Sequence, residues 1–286
     1  MSVATQAITP ELRRWIIDQA EAGCRPQDVV EAMKTSGWNE DVAIKAMEQT
    51  LREHLASLPP DESDLPPATP VPEPALAGAP SLLIAAGHEV RILSTLKHPR
   101  VIVFGGLLTD AECTGLMDLA MPRLSRSETV DNATGGSEVN AARTSEGMFF
   151  ERGEHALIHT LEQRIAALLG WPLENGEGLQ ILRYRPGAEY RPHHDYFDPV
   201  HAGTARILER GGQRVASLVM YLNTPDGGGA TTFPEVGLEV APVRGNAVFF
   251  SYDRAHASTK TLHGGAPVTA GEKWVATKWL RQGVFV

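Results

Sequence analysis

His193-His194-Asp195 is the first place where residue types and spacing in this 286-residue chain could do chemistry. The three residues close an alternating apolar and polar stretch, 179–197, that turns at Pro186-Gly187. On an extended backbone, residues two apart share a face, so His193 and Asp195 project together while His194 points away. One imidazole beside one carboxylate makes two thirds of a 2-His-1-carboxylate site, the donor set that holds Fe(II) with positions left open. A surface strand can carry the same pair with no function, so a second histidine has to decide the matter. The candidates after the motif are His201, His256 and His263. His201 falls in a charged, glycine-containing loop, and His256 sits in Arg-Ala-His-Ala-Ser, also loop-like. His263 lies within a strand pattern and is followed by small residues that would let it approach a metal. Spacing alone leaves His256 and His263 both open. Asp198 is a competing carboxylate but lacks the i, i+2 relation to His193.

The elements that must position these residues are short. Strand-like runs at 179–185, 190–195, 214–222, 230–234, 238–243, 247–252, 260–268 and 273–281 alternate with glycine-rich turns. Many short strands without intervening helices predict a sandwich or barrel. Before them, 90–93 and 100–104 read as strands, and Thr109 with Glu112 forms a capping box that opens a helix. A second helix, 154–169, carries Leu157, Ile158, Leu161, Ile165 and Leu168 on one stripe and ends at Gly170. Cys113 lies in the first of these helices among apolar residues, which predicts a buried, inert thiol. His155 and His159 fall one turn apart without a third ligand and read as surface residues. The polar, glycine-rich stretch 125–142 and the loop 201–212 are the candidates for closing over a substrate.

Residues 1–56 predict a small three-helix unit. Thr9-Pro10, Arg25-Pro26 and Asn39 mark the helix starts, and Gly37-Trp38 lies between the second and third helices. From 57 to 80 there are eight prolines, four acidic residues and no basic one, which predicts an extended, semi-rigid linker. The organisation expected is therefore 1–56, a linker 57–80, and a domain at 81–286. The net charge is −9, and most of the excess is N-terminal, because residues after 80 hold 20 basic and 22 acidic side chains. A chain of this charge is not expected to bind nucleic acid, which needs a basic face. No signal peptide and no apolar run of roughly 18 residues is present, so no membrane partner is expected and a cytoplasmic setting is. Two cysteines, Cys24 and Cys113, make neither a disulfide framework nor a thiolate metal cluster.

A series of segments then resembles a known family. RTSEGM (143–148), GEGLQILRY (176–184), YRPHHDYF (190–197), GGQR (211–214), MYLN (220–223), GGATTFP (228–234) and LHGGAPVTAGEKW (262–274) occur in order. They resemble the prolyl 4-hydroxylases, Fe(II)/2-oxoglutarate dioxygenases built on a double-stranded β-helix or jelly roll. The likeness is to the short plant, algal and bacterial type. It implies an α+β, mainly β fold with flanking helices, to which the N-terminal helices add a unit resembling ubiquitin-associated (UBA-like) domains. By this resemblance His193, Asp195 and His263 are the iron ligands. Lys273 binds the distal carboxylate of 2-oxoglutarate, and Tyr184 and Thr231 line the co-substrate pocket. Arg143, Ser145, Glu177, Arg214 and Trp279 match substrate-contact positions. The family often has a histidine two residues after that tryptophan, where this chain has Arg281.

The implied reaction hydroxylates a peptidyl proline at C4. 2-Oxoglutarate and O₂ are co-substrates, succinate and CO₂ are released, and L-ascorbate serves as reductant. A dicarboxylate entering a partly buried site needs a cation to offset its desolvation, which is the physical case for Lys273. A proline-containing protein or peptide is the expected substrate, and a protein partner is expected for the N-terminal unit. Two alternatives stand beside this reading: oxidation of another side chain or a small molecule, and a non-enzymatic adaptor using the UBA-like unit.

Overall fold

In the computed structural model the chain divides into two units, residues 1–65 and 66–286. The described residues are 8–57, 65–126, 129–130, 137–138 and 144–286. The first unit holds helices Pro10–Glu21, Pro26–Thr35 and Glu40–Ser57. Their starts are those the sequence marks. Thr9 accepts a hydrogen bond from the Leu12 N–H, and Asn39 accepts one from Asp41. Ile16, Val29, Val30, Met33, Ala43, Ala46 and Met47 form its buried core, with Trp15 and Trp38 packed against it.

The proline-rich stretch differs from the expected spacer. From Pro66 onward it belongs to the second unit. Backbone hydrogen bonds run from Thr69 to the Asp253 carbonyl (2.8 Å) and from Glu73 to the Leu169 carbonyl (3.0 Å), and Glu73 pairs with Arg100. Pro72 and Pro74 are buried. Proline needs no donor partner, so a segment this rich in it can lie against a folded surface and leave few N–H groups to satisfy. Removing residues 1–65 is therefore expected to leave the melting temperature of the second unit unchanged. Removing 1–80 should destabilise it by about 2 kcal/mol or more, from the lost hydrogen bonds and apolar burial. Thermal melts of the two truncations check this.

Two antiparallel sheets make the second unit a double-stranded β-helix. The larger has nine strands, in the order Leu82–Ala85, His88–Leu96, Arg100–Gly105, Ala247–Ser251, Arg214–Tyr221, Lys273–Arg281, Leu179–Tyr184, Glu146–Phe150 and Ser125–Arg126. The smaller runs Leu238–Val240, Thr231–Phe233, His263–Gly265, Tyr190–His193. Helices Asp110–Ala120 and Ala156–Leu169 contribute Cys113, Leu116, Ile158, Leu161, Ile165 and Leu168 to a core cluster with the large sheet. The capping box at Thr109 and Glu112 forms, and Gly170 ends the second helix in the left-handed conformation. That helix starts at Ala156, because His155 uses its ring nitrogen to cap it by accepting from Leu157.

The strand Lys273–Arg281 is buried along its whole length, and its period of two sorts its residues. Trp274, Ala276 and Leu280 join the helix-side cluster. Lys273, Val275, Thr277 and Trp279 line a cleft between the sheets. The neighbouring strand Arg214–Tyr221 has a register irregularity between Arg214 and Ala216. Strict alternation would put Arg214 on the helix side with Ala216, and the irregularity instead pairs it with Arg281.

Candidate active site

The His193-x-Asp195 pair comes together, but not along one strand. Strand Tyr190–His193 ends at His193, and Asp195 follows in a bend. His193 Nε2 lies 3.6 Å from Asp195 Oδ1. The third member is His263, directly opposite His193 in the small sheet, with its Nε2 3.4 Å from Asp195 Oδ2. One ligand atom from each residue falls within 4.8 Å of the others. A Cβ at Gly264 would lie 2.9 Å from the Tyr190 carbonyl oxygen, so the close approach of these two strands requires glycine there.

The donor set fits a divalent metal ion. His193 Nδ1 is 2.9 Å from the Arg191 carbonyl and His263 Nδ1 is 3.0 Å from the Thr261 carbonyl. A carbonyl only accepts, so each Nδ1 donates to it, which leaves each Nε2 on the Asp195 side as the atom placed to bind a metal. Burial lowers the His263 pKa to about 4 against the opposing pull of Asp195, and the ring is neutral at neutral pH. Burial by itself would raise the Asp195 carboxyl, but His263, His193 and Arg214 together hold it well below the usual carboxylate range. Two imidazoles and one carboxylate are the facial set suited to Fe(II). His201 is exposed, and His256 caps a short turn by accepting from Ser258. Neither joins the cluster. His194 stacks on Tyr196 with ring centroids 4.6 Å apart, pointing away as the alternation predicts.

The cleft beside this cluster includes Tyr184, Tyr190, Thr231, Lys273 and Trp279 in its walls. Lys273 pairs with Tyr184 at the start of the central strand and is 4% exposed. The expected run 260–268 is instead two strands, His263–Gly265 and Val268–Ala270, interrupted at Pro267, whose missing N–H cannot continue the ladder. His263 and Lys273 consequently face the cleft from opposite sheets. Among the described residues no carboxylate pairs with Lys273, and burial lowers its pKa to about 8. The rings of Tyr184 and Tyr221 lie 5.4 and 5.9 Å from its ammonium. Thr231 accepts from the Tyr221 hydroxyl at 2.8 Å. A buried cation without a counter-charge, in a cleft that also holds a metal-ligand set, is suited to a bound carboxylate.

The expected substrate contacts are placed unevenly. Arg143 lies outside the described residues, as does most of 125–142. Ser145 is buried. Trp279 walls the cleft, and its indole N–H is buried without a hydrogen-bond partner. Glu177 and Arg214 bond each other rather than standing free. Arg214 Nε and Nη2 donate to Glu177 at 2.6 and 2.9 Å, and Arg281 Nε donates to the same carboxylate at 2.6 Å. Burial would raise the Glu177 carboxyl, but the two guanidiniums outweigh it and lower it. The Arg214 guanidinium lies over the Trp279 ring at 4.1 Å. Arg281, at the family's histidine position, is thus the third member of a buried Arg–Glu–Arg cluster behind the tryptophan. Glu177→Gln would leave two buried guanidiniums facing a neutral amide and is expected to cost about 3–5 kcal/mol. Arg281→Met leaves the two-bond Arg214–Glu177 pair and should cost less; urea unfolding of both variants compares them. The loop 201–212 is tied down by a short helix, Thr204–Leu208, with Thr204 Oγ1 donating to the Asp198 carbonyl.

Sequence reasoning missed Ser217 and Tyr252, which lie behind Asp195. Ser217 is the one hydroxyl in the apolar run Val215–Met220, two and four residues before Val219 and Tyr221 on the cleft face. That parity was the available signal.

Known proteins resemble this chain over the same region. The family model described as the 2OG-Fe(II) oxygenase superfamily matches residues 179–281. Prolyl 4-hydroxylase 5 of Arabidopsis thaliana is 40% identical over 204 residues, covering 64% of this chain and 68% of that protein. Prolyl 4-hydroxylase 1 of the same plant is 43% identical over 202 residues, covering 64% and 69%. The crystal structure of a viral collagen prolyl hydroxylase from Paramecium Bursaria Chlorella virus-1, in a 2-oxoglutarate complex, aligns at 29% identity with a TM-score of 0.49. The alignment covers 63% of this chain and 95% of that one. With its His-Asp-His cluster, its cleft and relatives this similar over two thirds of their length, the chain belongs to the prolyl 4-hydroxylase family of Fe(II)- and 2-oxoglutarate-dependent oxygenases.

Proposed function

We propose that this protein hydroxylates a prolyl residue of a peptide at C4, using His193, Asp195 and His263 to hold Fe(II) and Lys273 to hold 2-oxoglutarate. The observation that carries the residue assignment is Lys273, an ammonium 4% exposed with no carboxylate partner among the described residues, in the same cleft as the ligand cluster. Iron supplies the O₂ activation that oxidises 2-oxoglutarate to succinate and CO₂ and delivers one oxygen atom to the prolyl C–H. The protein's own contribution is positioning. Lys273 takes the distal carboxylate of 2-oxoglutarate, and Tyr184 and Thr231 shape the wall beside it. Trp279 offers a flat apolar face for a proline ring. Ser145 and Arg143 belong to the same reading as substrate contacts. Glu177 and Arg214 act in it by backing Trp279. L-Ascorbate as reductant and a protein partner for the three-helix unit complete the proposal. Fe(II) and 2-oxoglutarate turnover to succinate, measured with and without proline-containing peptides, tests it. Stimulation by those peptides with hydroxyproline formed is the expected result. No turnover with iron bound would overturn the enzyme reading, and turnover indifferent to proline peptides would overturn the choice of substrate.

A further inference from the structure

We infer that Ser217 and Tyr252 are positioning residues, a hydroxyl relay that fixes Asp195 as a one-oxygen metal ligand and so sets iron affinity. The inference rests on the reading of His193, Asp195 and His263 as the iron ligands. Ser217 is fully buried on strand Arg214–Tyr221, and Tyr252, 2% exposed, follows the neighbouring strand Ala247–Ser251. Ser217 Oγ lies 2.5 Å from Asp195 Oδ2, and the Tyr252 hydroxyl lies 3.0 Å from Ser217 Oγ. Among the described residues neither hydroxyl has another hydrogen-bond partner.

The relay has a direction. An ionised carboxylate only accepts, so the single hydrogen of Ser217 is committed to Oδ2. Ser217 can then only accept from Tyr252, and Tyr252 donates. Hydroxyls in series polarise one another, which strengthens the bond at the carboxylate end. Neither hydroxyl is needed to pack the sheet, since Ala216 and Leu218 flank Ser217 and a phenyl ring would fill nearly the same space at 252. Burying a hydroxyl is costly unless its bond is made, so both point to a use at Asp195.

That use is the choice of oxygen. Both carboxylate oxygens lie near an imidazole nitrogen, at 3.6 Å for Oδ1 and 3.4 Å for Oδ2, so the rings do not choose between them. The Ser217 bond draws charge from Oδ2 and leaves Oδ1 the stronger donor. A carboxylate binding through one oxygen takes a single coordination position and leaves the others for the co-substrates.

The test titrates Fe(II) anaerobically into the full-length apoprotein and reads affinity by competition with a chromogenic chelator. Ser217→Ala is expected to weaken Fe(II) binding roughly 10–100-fold, the range for loss of an outer-shell partner. Ser217→Thr keeps the hydroxyl and should bind close to wild type. Tyr252→Phe should weaken binding less than Ser217→Ala, and add nothing in the Ser217→Ala background, because it acts through Ser217. Unchanged affinity in Ser217→Ala, or a Tyr252→Phe effect of equal size with and without Ser217, overturns the inference. If Ser217→Ala fails to fold, the near-isosteric Tyr252→Phe decides alone, and an unchanged affinity there overturns it. His193→Ala separates the two levels. Binding that survives it means the ligand reading has failed; binding lost there while Ser217→Ala is silent means only the relay has failed.

Discussion

Replacing His193 by Ala is expected to abolish Fe(II) binding and succinate formation together, while His194→Ala should leave both near wild type. The contrast follows from the two rings' surroundings. His193 holds its Nδ1 proton against the Arg191 carbonyl and turns Nε2 towards Asp195, opposite His263. His194 stacks on Tyr196 outside the cluster. Losing one of three ligands should weaken binding by more than the roughly 10–100-fold that an outer-shell partner is worth. Anaerobic titration gives the affinity, and a 2-oxoglutarate turnover assay on the same samples gives the activity. Retention of tight Fe(II) binding by His193→Ala would remove the basis of the site.

Lys273→Met should weaken 2-oxoglutarate binding roughly 10²–10³-fold, as truncating one partner of a buried charge pair does, and leave Fe(II) affinity intact. The wild-type affinity should also depend on pH in a definite sense. Burial lowers the Lys273 pKa to about 8 in the absence of ligand, so the ammonium is present below that pH and lost above it. A dicarboxylate binds the ammonium form. Affinity should therefore be level below about pH 8 and fall above it, approaching roughly tenfold per pH unit while one proton is taken up on binding. Lys273→Arg keeps its charge throughout this range and should show no such fall, whatever its absolute affinity. A wild-type affinity that stays flat to pH 9.5 would contradict the role of an unpaired, buried ammonium.

Much of the fold was legible because its signals are local. Capping residues, glycines and prolines act within a few positions, so Thr9, Asn39, Thr109 and Gly170 mark helix ends where the structure has them. The period-2 run 273–281 is a strand with the predicted limits. Boundaries failed where a distant contact overrode the local pattern. Pro66–Pro80 reads as a spacer by composition, yet Asp253 and Leu169 accept hydrogen bonds from it. The run 190–195 reads as one strand, yet pairing with His263–Gly265 stops at His193 and Asp195 turns in a bend.

The sequence by itself determined the donor types. The His-x-Asp pair offered two donors of a metal site with several candidate histidines, and the ordered motifs supplied the family and, by resemblance, the roles of His263 and Lys273. Spacing could not choose His263 over His256, because ligands 70 residues apart meet only through strand pairing, and the small sheet sets His263 directly across from His193. Nor could it show that Lys273 and His263, ten residues apart, face one cleft from opposite sheets. The irregularity at Val215 was equally invisible. It turns Arg214 to the face of Arg281 and Glu177, so Glu177 and Arg214, which read as separate substrate contacts, join Arg281 in one cluster. A bulge alters side-chain direction through backbone geometry that no residue type announces. The Tyr252–Ser217–Asp195 relay has the same origin: three hydroxyl and carboxyl groups far apart in the chain acquire a shared direction only when the strands that carry them lie side by side.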